Sequence, residues 1–268
     1  MGHNNLLKRI GYLLIILGFF LPVSASGWTV AFLAGSGGLG DESFNDMAWL
    51  GLGKAREECG FKLIFREWEP HIPAKKIMQE VLDQGAELVV LNGDQFSPLI
   101  QEFAPRYKDI LFIANDFYGG DFTNLKSILY QQQEGAFLAG ALASLHSHSG
   151  KIGFIGASDI PIIKAFEVGF TEGVKYISPE TQVTIDYISD LQNYSGFNNP
   201  QRAFELATSR YKDGIDIIFA VAGMSGNGVI QAAKATDKFA IGVDADQDRM
   251  AKGHVLTSVM KRLDIAIY

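Results

Sequence analysis

Thr29-Val30-Ala31-Phe32-Leu33-Ala34, followed directly by Gly35-Ser36-Gly37-Gly38-Leu39-Gly40-Asp41-Glu42-Ser43-Phe44-Asn45-Asp46, decides the fold. The first six residues read as a buried parallel strand, and the glycines turn the chain tightly into a helix. Phe44, Met47, Ala48, Gly51, Leu52 and Ala55 fall at i, i+3, i+4, i+7, i+8 and i+11, one helix face laid on a sheet. The N-terminus of that helix presents unpaired backbone N–H groups beside an aromatic ring, an amide and carboxylates. Such a set suits a small polar molecule with a flat face.

Working outward, the same alternation repeats along the chain. Strand-like runs at Lys62–Arg66, Glu87–Leu91, Ile110–Ala114, Lys151–Ile155, Val183–Ile188, Ile215–Ala220, Phe239–Val243 and Val255–Val259 alternate with helix patterns. The helix patterns are Phe44–Glu58, Ala74–Gln84, Pro98–Tyr107, Glu134–His146, Pro161–Tyr176, Pro200–Tyr211 and Gly228–Ala235. Regular βα alternation implies parallel sheets with helices on both faces, an α/β fold. The pattern restarts after Ser147-His148-Ser149-Gly150, which favours two α/β lobes over one continuous sheet. We expect a first lobe over 26–131, a second over 132–257, and a crossover back toward the first over 258–268. Ligands of such sheets bind beyond the carboxyl ends of the strands. The segments there are polar, glycine-rich or aromatic in both halves: 35–44, 92–96, 115–116, 157–160, 194–199, 223–227 and Asp244. Two lobes pointing these rims at each other make a cleft.

Residues 1–25 fix an expected compartment. Lys8 and Arg9 precede the apolar run Gly11–Leu21, and Pro22-Val23-Ser24-Ala25 ends in small residues, the pattern of a secretory signal peptide cleaved after Ala25. The apolar run is shorter than the roughly 20 residues a membrane-spanning helix needs. The sequence has 23 Lys and Arg against 30 Asp and Glu, and loss of Lys8 and Arg9 would leave 21 against 30, a net charge of −9. That balance argues against nucleic acid as a partner, since phosphate neutralisation needs Lys and Arg. Cys59 is the only cysteine. It cannot form an internal disulfide and lies too far from Ala25 to carry a lipid on a first mature residue, so a periplasmic, soluble, unanchored protein is expected.

Gly35-Ser36-Gly37-Gly38-Leu39-Gly40 also matches G-x-G-x-x-G, with Glu67 or Glu69 as a ribose-binding acid. Asp41, Glu42 and Asp46 would repel a pyrophosphate at that helix N-terminus, which argues against a dinucleotide cofactor. The five histidines, His3, His71, His146, His148 and His254, show no metal spacing. Ser158-Asp159 and Ser225 have no histidine nearby and no G-x-S-x-G elbow. No catalytic residue, metal or cofactor is expected.

Gly38-Leu39-Gly40-Asp41-Glu42-Ser43-Phe44-Asn45 resembles the G-[GI]-x-D-x-S-F-N opening motif of the basic membrane protein family, the substrate-binding components of ABC importers, which includes purine nucleoside receptors. Further matches follow in the same order: Glu134–Gly140, Gly150–Gly156, Asp159–Pro161, Phe166–Phe170, Ala222–Val229, Ile241–Gln247 and Thr257–Asp264. The resemblance implies a two-lobed type I periplasmic binding fold that closes on one nucleoside and delivers it to an inner-membrane permease, acting as a monomer. Carried over position by position, it implies that Phe44 and Phe197 sandwich the base. It further implies that Asp116 accepts from base N–H groups with Asn45 assisting, and that Gly223, Asp244 and Lys261 hold the ribose. A sugar or other small-solute receptor, or an exported nucleoside-processing enzyme, are the alternatives.

The chain departs from the family in two places and ends shortly after its K-R-x-D motif. Gly35 stands where many relatives have aspartate, and Leu91-Asn92-Gly93-Asp94 where they have G-x-G-F, so Asp94 adds a carboxylate to the base pocket. Relatives continue beyond the position of Tyr268, which leads us to expect a truncated first lobe and exposed apolar sheet surface.

Overall fold

The computed structural model describes residues 27–268 apart from Pro70 and Gln192; the expected signal peptide lies outside the described residues. Two five-stranded, all-parallel sheets carry the chain. The first contains β1 (Thr29–Ala34), β2 (Lys62–Glu67), β3 (Leu88–Asn92), β4 (Leu111–Asn115) and β5 (Leu125–Ile128), in the order β2-β1-β3-β4-β5. The second contains β6 (Lys151–Ser158), β7 (Gln182–Ser189), β8 (Ile217–Val221), β9 (Phe239–Asp244) and β10 (Val255–Met260), in the order β7-β6-β8-β9-β10. The two orders are the same, so each lobe is one copy of a single topology. The type I two-lobed expectation is met.

Helices cover both faces of each sheet because the central strands are apolar on both sides. In the first lobe, α1 (Phe44–Cys59) packs over Val30, Phe32 and Val90, while α2 (Ala74–Asp83) and α3 (Ser97–Phe103) cover Ala31, Leu33, Val89 and Leu91. In the second lobe, α4 (Gln132–His146) and α5 (Pro161–Ile177) share a core with Phe154 and Phe219, and α6 (Pro200–Lys212) and α7 (Met224–Thr236) cover Ile155, Ile218 and Ala240. The α4–α5 contact is unusually close. A Cβ at Gly140, Gly169 or Gly173 would overlap the carbonyl oxygen of Phe170, Gln133 or Phe137 respectively, so the two helices meet backbone to backbone.

The chain passes between lobes twice, through residues 129–131 and again through Lys261 and Arg262. After the second passage a short helix, α8 (Leu263–Ile267), buries Leu263 and Ile267 against α1. Neither β5 nor α8 was expected. The apolar sheet face expected to be exposed is covered over β1 and β3 by α1 and α8, whereas Ile113 and Ile128, toward the β5 edge, are half-buried.

Several expected boundaries move. The helix expected at Pro98–Tyr107 ends at Phe103, and the one expected at Gly228–Ala235 begins at Met224. The strand expected at Lys151–Ile155 runs on to Ser158, with β7 pairing extending to Gly156 and Ser158.

Candidate ligand-binding cleft

The carboxyl ends of the two sheets face each other across a cleft of roughly 570 Å³, its mouth included. Six of the seven residues expected at the site line it: Phe44, Asp116, Phe197, Gly223, Asp244 and Lys261. Asn45 does not, which corrects the expectation that it assists at the base. Its Oδ1 accepts from Gly35 N at 2.8 Å and from Asn92 Nδ2 at 3.0 Å, and its Nδ2 donates to Asp41 at 3.0 Å. Asn92 Oδ1 in turn accepts from Asn115 Nδ2 at 2.7 Å. Asn45 therefore begins an amide chain that ties the ends of β1, β3 and β4 together behind the cleft wall.

The first turn of α1 shows why the loop has its sequence. Ser43 stands at the N-cap but does not cap. Asp41 takes that role, accepting from the backbone N–H of Ser43, Asn45 and Asp46 at 2.8–3.1 Å. Burial pushes the Asp41 carboxyl up to about 7 against the lowering effect of those bonds. Ser43 Oγ is released to donate across the cleft to Asp244 Oδ2 at 2.6 Å. Phe44, next in line, projects its half-buried ring into the cleft from the first lobe. Phe197 enters from the second lobe, on the 3-10 turn Tyr194–Asn198, beside Gly223 at the N-cap of α7.

The two carboxylates occupy matching places. Asp116 directly follows β4 and Asp244 ends β9, the fourth strand in each lobe, and both have left-handed backbone, with φ of 60° and 66°. Aspartate tolerates that conformation better than most residues, at some cost in strain, and such strain gathers at ligand sites. Asp116 Oδ2 accepts from Lys261 Nζ at 2.5 Å, with both side chains about 95% buried. The ammonium also lies 4.8 Å from the Tyr130 ring centroid and 5.1 Å from that of Phe44. Burial raises Asp244 to about 6; Lys261 and the Ser43 bond oppose the shift. Asp94, beside them, is raised to about 6, chiefly by burial.

The second-lobe wall is apolar, formed by Ile160, Ile162, Ile163, Phe166, Val221 and Val243. Gln95, Tyr130 and Phe166 were not chosen as site residues from the sequence, and Asp94 was expected only as a carboxylate added to the base pocket. Asp94 and Gln95 sit in the rim segment 92–96 already marked as a strand end. Tyr130 and Phe166 come from the first crossover and the interior of α5, where only the folded chain brings them to Lys261. At the rims the lobes touch directly: Ser36 Oγ donates to Tyr194 O at 2.7 Å, Tyr194 OH to Asp94 Oδ2 at 3.2 Å, and Gln247 Nε2 to Glu42 O at 3.1 Å. Among the described residues no histidine lines the cleft. The arrangement can hold a neutral, flat solute with hydroxyl and N–H donors.

Two lobes of this topology, meeting at such a cleft, define a type I solute-binding protein. The family model described as "ABC transporter substrate-binding protein PnrA-like" matches residues 28–268, and the chain belongs to that family. Basic membrane protein A2 of Borrelia garinii subsp. bavariensis is 33% identical over 231 residues, covering 84% of this chain and 66% of the relative. The CD4+ T-cell-stimulating antigen of Listeria monocytogenes is 32% identical, covering 91% and 72%. The chain thus spans about two-thirds of the length of basic membrane proteins A2 and A. Among solved structures, an ABC transporter solute-binding protein from Aeropyrum pernix K1 superposes with a TM-score of 0.80 at 29% identity, covering 90% of this chain and 69% of that one. The glucose-galactose binding protein GanP of Geobacillus stearothermophilus shares the fold at a TM-score of 0.63 and 16% identity, with 90% and 88% covered.

Proposed function

We propose that this chain is the receptor of an ABC importer outside the cytoplasm, closing its lobes on one nucleoside, purine in preference, and passing it to a permease. The observation that carries the reading is the placing of Phe44 and Phe197, from opposite lobes, on one cleft with buried Asp116, Asp244 and Lys261. Aromatic faces stack on a base, and carboxylates shut away from water bind N–H and O–H donors strongly. In this reading Asp116 accepts from the base, Asp244 accepts from ribose hydroxyls, Lys261 donates to ribose oxygens, and Gly223 lets the sugar approach the backbone. Asn45 braces the wall.

Among the described residues no helix is long and apolar enough to cross a membrane. Export by cleavage after Ala25 and a monomeric working state complete the proposal. A relative from Pyrococcus abyssi, 29% identical, is described as an uncharacterized lipoprotein. In this chain Cys59 closes α1 and is exposed, so we propose a mature form without a lipid anchor.

Calorimetry with inosine, guanosine, adenosine and uridine, with free bases and pentoses as controls, tests the reading. Chromatography of the recovered ligand follows the titration. Saturable binding of intact nucleoside is the expected result. Binding of pentoses alone would establish a sugar receptor, and release of free base at about 1 per second would establish an enzyme.

A further inference from the structure

Two polar atoms on the first-lobe wall of the cleft are buried with no partner among the described residues: Gln95 Nε2, a donor, and Asp116 Oδ1, an acceptor. Buried polar groups are almost always paired, so an unpaired one facing a ligand cleft marks a bond that the ligand supplies. Both residues line the cleft.

The Gln95 amide is seated by the absence of side chains around it. A Cβ at Gly35 would lie 2.7 Å from Gln95 Nε2, and one at Gly93 would overlap Gln95 Oε1. The two glycines, at the ends of β1 and β3, thus leave the slot the amide fills. Asp94, the neighbouring residue, lines the same wall, and one of its oxygens accepts from Tyr194 OH across the cleft at 3.2 Å. Asp116 uses Oδ2 on Lys261 and keeps Oδ1 unpaired. The wall therefore offers one amide donor beside two carboxyl groups with accepting capacity to spare.

Resting on the nucleoside reading above, we propose that Gln95 and Asp94, together with Asp116, select a 2-amino-6-oxopurine. Gln95 Nε2 donates to the 6-oxo oxygen, and the carboxylates accept from N1–H and the 2-amino group. Guanosine presents one acceptor followed by contiguous donors along that edge. Inosine lacks the amine. Adenosine turns a ring nitrogen acceptor toward a carboxylate and its amine toward an amide N–H, leaving both protein groups opposed. Sites built on buried hydrogen bonds reject an analogue lacking them far more sharply than apolar pockets reject a missing methylene.

The test is calorimetry of the chain and of its Gln95→Leu and Asp94→Asn variants with guanosine, inosine, adenosine and purine riboside, which lacks both the 6-oxo group and N1–H. Guanosine should bind at least about tenfold more tightly than adenosine, with inosine between them. Gln95→Leu should narrow the advantage of inosine over purine riboside by about fivefold or more, the remainder being the N1–H bond to the carboxylates, while purine riboside still binds, and that retained affinity reports an intact fold. Asp94→Asn should narrow the guanosine-to-inosine ratio, and it decides the matter where Gln95→Leu does not fold. Equal affinities for guanosine and adenosine in the unaltered chain, or ratios unmoved in both variants, overturn the proposal while leaving a nucleoside receptor in place. Absence of binding to every nucleoside overturns both readings.

Discussion

Ser43 shows how the site shapes single residues. A serine at an N-cap ordinarily accepts from the helix N–H groups, and here that work passes to Asp41 so that the hydroxyl can reach Asp244 in the other lobe. Phe44 and Phe197 are half-buried rather than sunk in the cores, which leaves ring surface for a ligand. Replacing either by alanine should weaken nucleoside binding by roughly 1–3 kcal/mol, about 5- to 150-fold, the usual worth of one base–aromatic stack. Calorimetry on variants with unchanged circular dichroism checks this, and less than a twofold loss for both would assign the rings to core packing. Phe44 was legible because it opens a helix immediately after a glycine turn at a strand end. Asn45, one position on, was misplaced because sequence cannot show which way an amide on the first helical turn points. Here it faces the strand ends and serves Gly35 and Asn92. Gln95 escaped notice because its amide acquires significance only when Gly35 and Gly93, distant or adjacent in sequence, come together around it.

At the scale of elements, the α4–α5 pair has the least room for change. Gly173→Ala would drive a methyl group into the Phe137 carbonyl, and a helix pair in backbone contact cannot yield without shifting as a whole. The expected cost is roughly 1–3 kcal/mol, lowering the melting temperature by several degrees. Gly53→Ala, on α1 with open space around its Cβ, should instead stabilise by roughly 0.5–1 kcal/mol. Thermal melts of the two variants should move in opposite directions; equal shifts would show that the α4–α5 contact relaxes freely. Long elements with clear periodicity were legible within a few residues. β5 was missed because Leu125-Lys126-Ser127-Ile128 is four residues long with a lysine inside it. α8 was missed because five residues hold too little periodicity to read, and its two anchors, Leu263 and Ile267, gain meaning only against α1.

For the whole molecule, the two lobes and their cleft were readable because a βα pattern that starts twice builds two sheets. How the cleft behaves with pH was not readable, since it depends on burial that only the folded chain creates. Asp94 and Asp244 are both raised to about 6 with the lobes in contact, mainly by loss of water. The lobe opening that the proposed function requires would rehydrate them and return them toward the ordinary carboxylate range near 4. The closed form therefore binds protons more readily than the open one, so acid favours closure and that preference fades as pH rises through about 6. Small-angle scattering of the ligand-free protein should show a smaller radius of gyration at pH 5 than at pH 7.5. The difference should shrink in Asp94→Asn and Asp244→Asn. A radius independent of pH in the unaltered protein would show that the lobes keep these carboxyls buried throughout.

The matched aspartates at the ends of β4 and β9 have a consequence for how a solute is seated. Walls built from one repeated topology would, with equal neighbours, accept an elongated guest in either direction, head to one lobe or reversed. Lys261 breaks that equivalence by pairing directly with Asp116, and Ser43 by donating to Asp244, so one pole of the cavity holds an ion pair and the other a hydroxyl hydrogen bond within the field of the same ammonium. A near-symmetric container thereby acquires a sense of direction, and it does so from one side chain in the second crossover and one at a helix N-cap.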